Sequence, residues 1–238
     1  MATYSAQQIV EYLRSLGNSE IAEHSQRFFK TGEGEYGFGD KFLGVRVPII
    51  RKAVRKYRGA RLETAEKLLH SEFHEVRLFA LILLVSIYSS ADEELRKKVF
   101  HLYLNNTCYI NNWDLVDTSA PQIVGVHLAD KDRSLLYELA DSDSIWERRI
   151  AVLATFHFIR NKDYDDALRL CEILLNDRED LIHKATGWML REIGKLDKEV
   201  ETVFLDQHCR GMPRTMLRYA IEKFSKDERY HFLSVSRA

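Results

Sequence analysis

Proline is scarce in this sequence, at three in 238 residues, and glycine contributes only 11. So few chain breakers exclude a collagen-like, linker-rich or disordered protein and argue against an all-β fold dense in turns. Net charge is lacking too, since 35 Lys and Arg meet 36 Asp and Glu for a formal charge of -1. No global basicity marks a nucleic-acid binder, so any basic site must be local. Cys108, Cys171 and Cys209 form no Cys-x-x-Cys pair, which excludes a zinc clamp or redox couple of that kind. Buried free thiols in a reducing compartment are the expectation. A long apolar run is also missing: the most hydrophobic stretch, 78–88, falls far short of the roughly 20 residues a membrane helix needs and reads as a buried helix. The start, Met1 to Gln8, has neither the basic flank nor the apolar stretch of a signal peptide. A cytoplasmic protein that contacts no membrane is expected.

What the sequence does contain is helical periodicity. Ser5 precedes Ile9, Tyr12, Leu13 and Leu16 at three-and-four spacing, ending at Gly17, as in a capped amphipathic helix. Ser19 is expected to cap a second helix, and Pro48 sits where the first turn of a third tolerates it. Further helices are expected to begin near Leu62, Glu75, Asp92, Asn112, Asp130, Ser144, Tyr164, Glu179, Asp197, Pro213 and Lys226. Strand alternation is nowhere sustained, which leaves a dozen or more helices of roughly 10 to 17 residues joined by short turns. Helices carrying an early charge and a later small or apolar residue recur at Glu75, Trp113, Trp146, Ile182 and Pro213. Their separation of about 30 to 40 residues is that of paired-helix repeats such as HEAT motifs. The expected fold is therefore all-α, an α-solenoid of HEAT-like helical repeats forming a single domain over 1–238. Its second helices would line a concave basic groove. An irregular helical bundle with coincidental spacing is the alternative.

Several motifs bear on chemistry. Gly32 to Gly37 matches Gly-x-Gly-x-x-Gly, but a helix precedes it and Glu33 and Glu35 would repel phosphate, so it reads as a connector. His70 and His74 have the spacing of two metal ligands yet straddle a turn with no third ligand, and surface or capping roles are expected. The segment Lys41 to Arg61 holds eight Lys and Arg and no acid. On a helix starting at Pro48, Arg51 and Arg55 share one face, either tracking a phosphate backbone or forming a solvated basic helix. By contrast, Asp141 to Asp180 is rich in acids, which makes the molecule electrically two-sided. Asn112 opens a helix on which Trp113 and Asp117 lie four apart. An indole beside a carboxylate makes a cage for a cation. The same residues also suit a cap at Asn112 and Asp114, a core Trp113 and a solvated Asp117. A second indole, Trp188, lies between Lys184 and Lys195, and Trp146 precedes Arg148 and Arg149.

Together these pieces resemble the AlkD-like DNA alkylation repair proteins, HEAT-like helical DNA glycosylases. The matching segments are Phe42 to Pro48 with the basic helix after it, Glu75-Val76-Arg77, Asn112 to Asp117, Trp146 to Ala151, and Lys184 to Glu192, in the same order along most of the chain. The resemblance implies that Asp117 is the catalytic carboxylate, that Trp113 and Trp188 are aromatic walls of the lesion site, and that Arg149, rather than Arg148, is their cationic partner. It places Arg191 and Lys195 on the DNA backbone, and the basic segment adds Arg46, Arg51 and Arg55, with Lys184 beside Trp188. It further implies hydrolysis of the N-glycosidic bond of cationic alkylpurines, such as 3-alkyladenine and 7-alkylguanine, in double-stranded DNA. No metal or organic cofactor is implied. A shallow groove would hold the damaged duplex without inserting the base. A monomer is expected. A non-catalytic binder of damaged or branched DNA and a protein-interaction solenoid are the alternatives.

Overall fold

The computed structural model describes residues 4–235. Among these, the chain forms fourteen α-helices and no strand beyond an isolated bridge between Lys41 and Phe73. Side-chain caps start many of the helices where polar residues precede apolar periodicity. Ser5 completes a capping box with Gln8, and the side chains of Asp92, Ser144 and Asp197 accept from the backbone N–H three residues on. At the second helix the cap is Asn18, whose side chain accepts from Ile21 N, while Ser19 is already helical. Asn ranks with Ser as a cap, so either residue satisfied the pattern.

The helices pack as two compact units, Met1–Ile123 and Val124–Ala238. The boundary falls within the turn Pro121–Gly125, which is largely buried rather than an exposed linker. The first unit holds α1 (Ala6–Ser15), α2 (Ser19–Phe28), α3 (Val47–Lys56), α4 (Leu62–Leu69), α5 (His74–Ser90), α6 (Glu93–Asn105) and α7 (Trp113–Ala120). Here α3, α5 and α7 pack in succession, and α4 and α6 flank α5. The apolar stretch 78–88 forms most of α5, with Leu78, Phe79, Leu81, Leu83, Leu84 and Tyr88 all buried. Tyr103 of α6 is buried as well, its hydroxyl 3.0 Å from Ser119 Oγ on α7.

The second unit holds α8 (Ser134–Ala140), α9 (Ile145–Arg160), α10 (Asp165–Ile173), α11 (Asp180–Gly194), α12 (Lys198–His208), α13 (Arg214–Ala220) and α14 (Lys226–Val235). Successive pairs repeat one arrangement: α9, α11 and α13 pack in a row, while α8 and α10 pack against one another beside them. This is an all-α solenoid of helical repeats. All five of the repeat-like segments seen in the sequence fall on α5, α7, α9, α11 and α13, the second helix of each pair. Glycine permits a close approach in that row. A Cβ on Gly187 of α11 would run into the Met216 carbonyl of α13.

Three expectations are corrected. The helix expected near Asp130 begins at Ser134, because Arg133 turns its guanidinium back onto the carbonyls of Leu128 and Ala129 and ends the preceding turn there. Cys171 and Cys209 are buried, but Cys108 is exposed on the short 3-10 turn Thr107–Tyr109. His70 does sit at the exposed C-terminus of α4, whereas His74 is 1% exposed and belongs to the interior. The glycine segment 32–37 is a turn between α2 and α3, closed by Gly37 N donating to the Lys30 carbonyl, as a connector should be.

Candidate functional site

Local sequence starts α7 and divides its faces. The buried Asn112 caps it, with its side-chain oxygen 2.9 Å from Trp113 N. Leu115, Val116, Ser119 and Ala120 are buried on one side of the helix, leaving Trp113, Asp114, Asp117 and Thr118 on the partly open side. Trp113 and Asp117 thus share a face, one turn apart. The indole stacks on Phe29, with centroids 5.3 Å apart, and meets the edge of the exposed Phe28 at 6.0 Å. Trp113 is therefore neither a pure core residue nor a free one.

The two motifs upstream, at 42–48 and 75–77, prove to be one interlocked support. Glu75 receives three backbone N–H groups, from Leu43 (2.9 Å), Gly44 (2.7 Å) and Val45 (3.2 Å). Gly44 is required there because its φ is +78° and a Cβ would collide with the Asn18 carbonyl. Arg77 donates to Asp40 at 2.7 Å and to the Ser71 carbonyl at 2.8 Å. Between them His74 lies 3.2 Å from Asp40 Oδ2 through Nδ1 and 2.8 Å from Asp114 Oδ2 through Nε2. Burial opposes charge on His74, but Asp114 and Asp40 outweigh it, and its pKa is pushed up to about 9. The ring is therefore an imidazolium donating from both nitrogens. Beside this cluster is a cavity of about 590 Å³ whose walls include Phe29, Phe42, His74 and Asp114.

The cations expected to meet a DNA backbone differ between the units. Arg46, Arg51 and Arg55 are exposed and make no ion pair among the described residues. Arg51 and Arg55 line a groove of about 350 Å³ with Ile82, Ser86, Thr118 and Gln122, so their charge reaches the residue next to Asp117. In the second unit each expected backbone-binding cation is held by an acid. Lys184 pairs with Asp180 and Lys195 with Glu192, both at 2.6 Å, and Arg191 with Glu222.

Trp188 is half-buried on α11, donates from Nε1 to Glu192 at 2.8 Å and lies 5.8 Å from the Phe156 ring of α9. Arg149 is only 5% exposed and donates to the Leu181 carbonyl at 2.6 Å, in the first turn of α11. Arg148 is bound to Asp177 at 2.7 Å and to the Ser142 carbonyl at 2.8 Å. Trp146 packs in the core. Sequence reasoning missed Phe156 and Arg160, an exposed cation lying 4.3 Å over the Phe156 ring with no acidic partner among the described residues. The spacing of Phe156, seven residues beyond Arg149, and Arg160, one turn further on, would have placed all three on one stripe of α9.

A helical-repeat fold carrying these motifs in this order matches the model of the DNA alkylation repair enzyme family across residues 9–224, and the chain belongs to that family. The solved structure of a predicted DNA alkylation repair enzyme from Enterococcus faecalis is similar, with a TM-score of 0.68 and 16% sequence identity. The match covers 88% of this chain and 97% of that one, and at this identity it shows the fold. No curated protein matches the chain.

Proposed function

We propose that the protein is a monofunctional DNA glycosylase acting on cationic alkylated purines, 3-alkyladenine and 7-alkylguanine, in duplex DNA and leaving an abasic site. The observation that carries this reading is the open side of α7. It sets Asp117 one turn from the stacked Trp113, beside a groove whose two arginines have no acidic partner among the described residues. Unpaired cations at a groove suit a phosphate backbone. The aromatic face of Trp113 favours a charged base over a neutral one.

An alkylated purine already carries positive charge, so it departs with the electron pair of the C1′–N bond as a neutral base and needs little protonation. The positive charge then grows on the deoxyribose. Asp117 stabilises that oxocarbenium character and accepts the proton of the water whose oxygen bonds to C1′. No metal or organic cofactor takes part in this reading. In the second unit we assign Trp188 a contact with the charged lesion. Arg149 holds the first turn of α11, the helix that bears Trp188, through the Leu181 carbonyl. Backbone binding is given chiefly to Arg46, Arg51 and Arg55, because Lys184, Arg191 and Lys195 must first leave their carboxylates. The protein acts as a monomer in the cytoplasm.

Duplex DNA treated with a methylating agent provides the test. Incubation should release free 3-methyladenine and 7-methylguanine, detected by mass, and leave strands that alkali cleaves at abasic sites. Salt-sensitive binding with no base released would instead support a non-catalytic binder of damaged DNA.

A further inference from the structure

The reading of Asp117 as the reacting carboxylate leaves a more deeply buried charge cluster without a role. His74, at the start of α5, bridges Asp40 in the connection after α2 and Asp114 in the first turn of α7, across 34 and 40 residues of sequence. The second oxygen of Asp40 is held by Arg77 at 2.7 Å and by Asn111 at 3.1 Å, so the acid is braced from both α5 and the residue before the α7 cap. Phe29 and Phe42 pack on the imidazole at 4.9 and 4.7 Å, and Phe29 continues onto Trp113.

Burying two carboxylates, an imidazolium and a guanidinium is costly compared with an apolar filling of the same volume. Such a cluster gives what an apolar filling does not, a directional link. Residues on a helix turn about 100° each, so fixing Asp114 from one side sets the rotation at which Trp113 and Asp117, on either side of it in sequence, are presented.

We propose that His74 is a positioning residue, which by holding Asp114 against Asp40 sets the rotation of the first turns of α7 and with it the placement of Trp113 and Asp117. Its catalytic consequence rests on the glycosylase reading above. His74 itself touches neither sugar nor base in this proposal and acts through Asp114.

The test is a double-mutant cycle on the full chain with His74→Gln, Asp114→Asn and the pair together. Single-turnover base release from methylated duplex and the Kd for the same duplex are measured separately. Each single variant should lose about tenfold or more in rate with Kd within about twofold, because misplacement of a reacting group costs rate rather than binding. The double variant should lose no more than the worse single one, as expected for residues acting as a unit. Losses that multiply, a loss confined to Kd, or a folded His74→Gln with unchanged rate would each overturn the proposal. Should His74→Gln fail to fold, Asp40→Asn replaces it in the cycle with the same criteria. Wild type that releases no base would sink the glycosylase reading by itself, and amide exchange would then decide the positioning role. Asp114→Asn should speed exchange in residues 115–120 about tenfold while leaving α4 unchanged. Equal exchange in both helices would overturn it.

Discussion

Glu201 lies in the first turn of α12, where a helix dipole favours a carboxylate, yet it is 2% exposed and its Oε1 has no hydrogen-bond partner among the described residues. Burial pushes its pKa up to about 8 against the opposing pull of Lys198 and Arg191. Its native state therefore keeps a proton that the unfolded chain releases from the ordinary value of 4.5 upward, and stability falls as pH rises from there to about 8. His74 acts in the same direction in a higher window. Its folded pKa of about 9 exceeds the ordinary value of 6.5, so its stabilising charge is fully present below 6.5 and lost as pH rises through about 9. Thermal unfolding followed across this range should show Tm declining on the alkaline side. Glu201→Gln should flatten the decline below about pH 8 and raise Tm at higher pH, by about 2 to 4 °C for each kcal/mol recovered. A variant tracking wild type at every pH would contradict this assignment. Neither residue was legible in the sequence. Glu201 reads as an ordinary first-turn acid, and the partners of His74 lie in segments that no local spacing connects to it.

The individual helices were the most legible feature, because caps and apolar spacing are local. Ser5, Asp92, Ser144 and Asp197 each begin a helix as their side chains suggest. Legibility failed at α8, where a long-range pairing of Arg133 with Asp163 and Asp166, both at 2.7 Å, accompanies its hold on the preceding carbonyls. What the sequence also concealed is how tightly second helices approach. Gly187 of α11 leaves no room for a methyl group against the Met216 carbonyl and Tyr219 of α13. Gly187→Ala must separate these helices, so despite the better helix propensity of Ala it should destabilise the protein by about 1 to 3 kcal/mol. Urea unfolding measures this directly, and an unchanged or raised midpoint would show that the helices have room to spare.

For the whole molecule, a formal charge of -1 is compatible with DNA binding only through unevenly placed cations. The acid-free run from Lys41 to Arg61 supplies the candidates Arg46, Arg51 and Arg55, which make no ion pair among the described residues, whereas Lys184, Arg191 and Lys195 are each held by an acid. The pairs Asp180–Lys184 and Glu192–Lys195, four and three residues apart, were open to view in the sequence, but Glu222, 31 residues from Arg191, looks like a solvated acid until its partner is seen. Arg51→Gln with Arg55→Gln should lower the slope of log K against log salt by about 0.9 for each phosphate no longer neutralised. Lys184→Gln with Lys195→Gln should lower it less. A larger effect from the second pair would reverse the assignment of the backbone-binding face.

If Asp117 meets the sugar as charge develops on it, the substitution Asp117→Asn, which keeps shape while removing charge, must abolish most of the chemistry and little of the binding. On a defined duplex carrying one 7-methylguanine, single-turnover base release should fall by about 100-fold or more with Kd within about twofold of wild type. Release by the variant at the wild-type rate would remove Asp117 from the reaction.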